Sequence, residues 1–228
     1  MPVSWKTWKQ SLALPTATTF RTVPIKLLEE NRELINEYLA RKLAGKVSFT
    51  HILAFAAVKA LEHVPALRNT FAVYEGKPYR VVPEPREPGD CRGRPAPKDG
   101  SRTLLVPNIK AAETMDFPTF FAAYNEVLRK VRSNQLSPED FAGTTMSLTN
   151  PGMLGTSQSL ARLMPGQSFI LATGSIDWPP ELQHADPRTL AQLGVSKVMT
   201  LACTYDHRVI QGAESRHVPR GDCRPAQR

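Results

Sequence analysis

The octet Tyr205-Asp206-His207-Arg208-Val209-Ile210-Gln211-Gly212 follows the apolar run Lys197 to Tyr205 and closes on a glycine. That pattern predicts a histidine presented at a strand end by a constrained turn, a good position for a base. A histidine inside a charged tripeptide is more often structural or merely exposed than reactive, so a second element is needed. Residues 141 to 152 supply it, with a strand running into a tight Asn-Pro turn that places the Thr149 hydroxyl and the Asn150 amide at its end. Without His207, strand plus turn is the preferred reading of that stretch.

The elements that must hold these residues mix helix and strand. Ile25, Leu28, Ile35, Leu39 and Leu43 fall close to one helical face, with Gly45 as terminator. After the short extended piece Val47-Ser48-Phe49, Thr50 can cap a second, buried helix that runs to His63 and ends at Val64-Pro65. Phe71 to Tyr74 and Tyr79 to Val82 read as a hairpin around Glu75-Gly76-Lys77-Pro78. Thr103 to Ile109 is apolar enough for a strand. Asp116 then caps a helix carrying Phe120, Phe121, Tyr124, Val127, Leu128 and Val131, and Ser137 to Asp140 starts another helical turn. Thr144 to Thr149, Ser168 to Ser175 and Lys197 to Tyr205 are strand candidates separated by Pro- and Gly-rich loops. An α/β sandwich on a mixed sheet is the expected class.

With 228 residues, 41% of them hydrophobic, one domain with a self-sufficient core is expected. Met1 to Thr16 lacks a continuous apolar core after its lysines, and no run approaches the ~20 apolar residues of a membrane span. A soluble cytoplasmic protein is the expectation. Cys91, Cys203 and Cys223 form no C-x-x-C pair, which argues against a zinc site and a disulfide framework. The formal charge of +8 comes from scattered Lys and Arg without aromatic interleaving, so no nucleic-acid partner is expected. His51 and His63 sit in or beside an apolar helix as packing or capping residues, and His184 lies in a Pro-rich loop.

Ser147-Leu148-Thr149-Asn150-Pro151-Gly152, Leu163-Met164-Pro165-Gly166-Gln167 and the D-H-R-x-x-x-G motif of Asp206 to Gly212 occur in an order and spacing that match one family. Over residues 15 to 214 the sequence resembles the acyltransferase catalytic domain of 2-oxoacid dehydrogenase complexes. Its wording is closest to the acyltransferase domain of the actinobacterial-type multifunctional 2-oxoglutarate dehydrogenase/decarboxylase. The resemblance implies a chloramphenicol acetyltransferase-like two-layer sandwich, and transfer of a succinyl or other acyl group from dihydrolipoamide to coenzyme A. It makes His207 the base for the coenzyme A thiol, whose pKa near ~8.5 leaves it mostly protonated at neutral pH, while an imidazole of pKa ~6.5 can accept that proton. Thr149 aligns with the family's hydroxyl donor to the oxyanion, with Asp206, Arg208, Gln211 and Asn150 in support. Gln211 stands where most of the family has Asp; an amide can orient a neighbour but carries no charge. The resemblance further implies a homotrimer with sites between subunits, a lipoyl group carried by another domain or chain, and a decarboxylase partner that alone needs thiamine diphosphate and Mg. No lipoyl-attachment segment occurs within these residues.

Two stretches depart from the family pattern: residues 86 to 97, where an apolar strand is expected, and 215 to 228, where a closing helix is expected. Gly-Asp-Cys-Arg recurs at 89 to 92 and at 221 to 224. For both, a one-base shift in a permitted codon choice restores apolar, family-like sequence, so a frameshifted gene is one reading, and a divergent loop with a disordered tail the other. Three arginines against Glu87 and Asp90 in the first, and four against Asp222 in the second, make up half of the formal charge. The expected organisation is an N-terminal extension over 1 to 14, the catalytic domain over 15 to 214 and the anomalous tail.

Two other functions stay open. Gln211 and the anomalous stretches motivate a non-catalytic assembly module or an inactive fragment of the fused enzyme. A small-molecule O-acetyltransferase is disfavoured, because Asp206 precedes His207 where those enzymes resemble His-His-x-x-x-Asp-Gly.

Overall fold

The computed structural model describes residues 5–43, 45–82 and 106–211. Along them run α1 (Trp5–Leu12), β1 (Thr16–Pro24), α2 (Lys26–Arg41), α3 (Phe49–His63), β2 (Thr70–Tyr74), β3 (Lys77–Val81), α4 (Phe117–Ser133), β4 (Met146–Thr149), β5 (Phe169–Asp177), α5 (Pro187–Gln192) and β6 (Val198–Asp206). One four-stranded sheet has the order β1-β6-β5-β4, with β6 antiparallel to both neighbours and β4 parallel to β5. The expected α/β class with a mixed sheet is present. β2 and β3 form a separate hairpin whose turn places Glu75 and Gly76 in the left-handed region, the geometry of tight two-residue hairpin turns.

Alternation along the strands sets the two faces of the sheet. Tyr205, Cys203 and Leu201 of β6 pair with Phe169, Leu171 and Thr173 of β5. All but Thr173 belong to a core shared with Ala54, Val58 and Leu61 of α3 and with Phe120 and Tyr124 of α4. On the alternate positions Thr18 of β1 pairs with Thr204, their hydroxyls 2.7 Å apart, and Phe20 pairs with Ala202. Ala54, Ala57, Val58 and Leu61 recur at helical spacing and all are buried, which is why α3 packs on the sheet. Burial of a side chain such as Phe120 contributes roughly 1.5–3 kcal/mol.

Several boundaries differ from the sequence expectation for identifiable reasons. Ser48, not Thr50, caps α3: its hydroxyl accepts the backbone N–H of His51, and the His51 ring accepts the N–H of Ser48 in return. The piece around Val47 joins no strand, because the Asn36 side chain takes both backbone groups of Val47, at 2.7 and 3.0 Å. α2 ends at Arg41, and Leu43 lies beyond it with a left-handed backbone and 95% exposure, off the predicted face. Val106 to Ile109 is buried but is not the expected strand; the Asn108 N–H bonds the Asp140 carbonyl instead of a ladder. The segment read as an N-terminal extension contains α1, whose buried Ser11 donates to the Leu163 carbonyl at 2.7 Å. Residues 86 to 97, 103 to 105 and 212 to 228, with the expectations that fall on them, lie outside the described residues.

Candidate active site

β6 delivers Asp206 to the sheet end, where its N–H bonds the Ser168 carbonyl at 3.2 Å and its side chain is buried. Arg208 grips that carboxylate with Nε on Oδ1 at 2.9 Å and Nη2 on Oδ2 at 2.6 Å, and its backbone N–H also reaches Oδ1. A bidentate contact of this kind fixes geometry as well as charge. The carboxylate beside it holds the Arg208 guanidinium pKa above its ordinary value. The N–H groups of Val209 and Ile210 both reach the Asp206 carbonyl, closing the turn, and the N–H of His207 bonds the carbonyl of Pro15 just before β1. The backbone of His207 is thus fixed on both sides while its imidazole is exposed, 6.0 Å from the Tyr205 ring. Gln211 follows as an exposed residue.

Thr149 ends β4, half-buried, and Asn150 turns the chain out of the sheet. The Asn150 side-chain amide donates to the Thr50 hydroxyl at 3.0 Å. One residue pair earlier, Ser147 is buried and donates to Gln167 at 2.9 Å, so the Leu163 to Gln167 motif supports the strand from which Thr149 emerges. Beside this turn a cavity of about 310 Å³ opens between the start of α3 and the sheet, lined among others by Thr50, Leu53, Asn150, Gly152, Ile176 and Met199. A β-carbon at Gly152 would overlap the Gly174 carbonyl, and one at Gly174 would overlap the Ser157 carbonyl. These strands and turns therefore meet backbone to backbone.

The predicted residues fall into two groups. Asp206, His207, Arg208 and Gln211 share one turn, and Thr149 and Asn150 share another. Thr149 pairs with Ala172, which pairs with Ala202, and His207 lies five residues further along β6. At ~3.3 Å per residue that is about 17 Å along the strand, plus two strand spacings across the sheet. Within one chain, the imidazole lies just beyond the end of β6 while the hydroxyl lies level with the middle of that strand.

The remaining candidates stay structural. His51 is buried against Phe121 and Tyr124 with its Nδ1 in the cap of α3, and burial pulls its pKa down, partly offset by Asn125. It both packs and caps, as expected. His63 and His184 are exposed. Burial pushes the Cys203 thiol up to about 12, which leaves it protonated and unreactive. Among the described residues no group of three or more His, Cys, Asp or Glu could hold a metal ion, and no helix is long and apolar enough to cross a membrane. Sequence reasoning missed Pro15, Thr50 and Phe71, whose contacts span long separations. Gly174 was findable, since a glycine inside a strand signals close backbone approach.

The family model described as 2-oxoacid dehydrogenases acyltransferase (catalytic domain) matches residues 3–81 and 97–218. A multifunctional 2-oxoglutarate metabolism enzyme of Mycolicibacterium vanbaalenii is 48% identical over 210 residues, covering 92% of this chain and 17% of that protein. A protein of the same name from Mycobacterium sp. strain JLS is 46% identical over 213 residues, covering 92% of this chain and 16% of that protein. The chain thus spans under a fifth of the length of these relatives. Among solved structures, the Azotobacter vinelandii dihydrolipoamide acetyltransferase superposes with a TM-score of 0.74 at 20% identity, over 94% of this chain and 82% of that one. A probable dihydrolipoamide acetyltransferase of Listeria monocytogenes gives 0.75 at 21%, over 94% and 85%. With the fold shared and the family model matched over most of its length, the chain belongs to the 2-oxoacid dehydrogenase acyltransferase family, as its catalytic domain.

Proposed function

We propose that this chain moves a succinyl group from dihydrolipoamide to coenzyme A, with His207 as base and Thr149 as oxyanion donor, in a site built between two copies. The separation of Thr149 from His207 along β6 carries this reading: two groups that must act on one carbonyl can meet only if different chains supply them. A cyclic homotrimer with heterologous contacts repeats such a site around the ring.

The chemistry balances without a redox partner. The coenzyme A thiol gives its proton to the His207 imidazole and the sulfur bonds the thioester carbonyl carbon. Thr149 donates a hydrogen bond to the resulting oxyanion. Collapse breaks the carbon bond to the dihydrolipoamide sulfur, which leaves as a thiolate and takes the proton back from His207. Asp206 and Arg208 hold the turn, and Gln211 orients it.

The A. vinelandii structure was determined to probe the roles of a serine, a histidine and an asparagine in that enzyme's catalytic mechanism, which supports a histidine-centred reaction. Another matched structure is the cubic core of a pyruvate dehydrogenase multienzyme complex, in keeping with an assembled state. Succinyl rests on the 2-oxoglutarate named in the relatives. The lipoyl group would come from another domain or chain, and thiamine diphosphate and Mg would belong to a decarboxylase partner. The family match skips residues 82 to 96, over the stretch read as frameshifted; the coding DNA decides that point, and an intact frame with no nearby indel would sink it.

Turnover with coenzyme A and S-succinyldihydrolipoamide tests the proposal. His207→Ala and Thr149→Ala should each be inactive or nearly so, and co-expressed in equal amounts they should recover about a quarter of wild-type activity, the statistical share of sites with both residues intact in a ring of heterologous contacts. No recovery in a well-assembled mixture would refute the shared site. No turnover in wild type would leave the assembly module as the reading.

A further inference from the structure

The Asp206-His207-Arg208 turn rests on a residue that no motif contains. Phe71 of β2 lies under Arg208, whose guanidinium carbon is 3.6 Å from the ring centroid, while the edge of the same guanidinium holds both oxygens of Asp206. We propose that Phe71 is a positioning residue for His207: its ring fixes the Arg208 rotamer that closes on Asp206, and so holds the turn from which the imidazole projects. The proposal rests on the reading of His207 as the base.

An arginine side chain about a third exposed, as Arg208 is at 32%, ordinarily samples many rotamers while water competes for its donors. A ring against one face excludes that water and sets the guanidinium plane, leaving the in-plane donors for the carboxylate. The platform itself is anchored. The Arg68 carbonyl, just before β2, accepts the Ser168 hydroxyl at 3.1 Å, and the Ser168 carbonyl accepts the N–H of Asp206. The base of the hairpin and the end of β6 are therefore joined through Ser168. Leucine at position 71 would fill much of the same space without offering an aromatic face.

The test uses the full chain with coenzyme A and S-succinyldihydrolipoamide. Phe71→Leu should lower kcat about 3- to 10-fold, the range expected for one partly desolvated cation–π contact. Its KM for coenzyme A should stay within about twofold, its melting temperature within about 3 °C, and Phe71→Tyr should recover at least half of the lost rate. A second readout needs no turnover: the Arg208 Nε–H nuclear magnetic resonance signal, displaced by the ring, should persist in Phe71→Tyr and shift towards a free-arginine position in Phe71→Leu. Wild-type kcat in Phe71→Leu, or equal losses in the Leu and Tyr variants, would overturn the proposal. An inactive wild type that keeps the displaced resonance would instead overturn the acyl-transfer reading, leaving Phe71 as a support of the turn alone.

Discussion

The side-chain amide of Asn150 donates to the Thr50 hydroxyl across 3.0 Å, joining the turn after β4 to the first turn of α3. Both residues line the cavity between the start of α3 and the sheet. Asn150→Ala should cost about 1 kcal/mol of stability, the net worth of one such bond, and about fivefold in kcat if the turn relaxes by the same amount. Urea unfolding and steady-state turnover measure the two, and Thr50→Val should reproduce both losses.

Removal of the Asp206 carboxylate strands Arg208. Breaking a buried pair typically costs ~3–5 kcal/mol, and the partial exposure of Arg208 brings the expectation for Asp206→Asn to about 2 kcal/mol. Denaturant melts give the stability change. An unaltered midpoint would show that the turn does not depend on the pair.

His51 gives the fold a pH dependence with a defined sign. Its folded pKa lies below the ordinary value because of burial, so the unfolded chain binds a proton more readily. Stability should be flat above about pH 7, then fall as pH drops through ~6.5 towards the folded value, by up to ~1.4 kcal/mol per unit. Melts at pH 7.5 and 5.5 should show the loss in wild type and a smaller one in His51→Gln.

Gly174→Ala should be among the most damaging small substitutions. The added methyl has to displace the Ser157 carbonyl, backbone that cannot rotate away, and the expected cost is about 3 kcal/mol or more. Circular dichroism melts check this, with Gly194→Ala, where nothing stands within 4 Å but the backbone is left-handed, as the milder comparison.

What could be read in advance divides by the range of the interactions. Asp116 capping α4, the Pro65 stop after α3 and the three strands after Met146 depend on neighbouring residues, and all are present within a few residues of their expected bounds. β1 was not foreseen: Thr16–Pro24 is polar and only partly buried, and becomes a strand by pairing with β6 nearly two hundred residues away. α1 and α5 are only eight and six residues long, too short for apolar spacing to declare a helix by itself. The Ser48 cap was displaced by two residues because two hydroxyls compete there, and the reciprocal bond to His51 decides between them. In the site, motif wording gave His207, Asp206, Arg208 and Thr149 but not their arrangement. That Thr149 lies about 17 Å along β6 from His207 follows from the register of β4 on β5 and β5 on β6, which no single segment encodes.

Gly152, Gly174 and Ser157 touch through main-chain atoms alone. Those atoms are the same whatever the surrounding side chains, so the core beneath the sheet can drift in sequence, exchanging one aliphatic residue for another, without moving the end of β4. The price is two positions, 152 and 174, at which any side chain would collide with main chain. Aliphatic exchanges in the hydrophobic layer should therefore leave the hydroxyl of Thr149 at the same address.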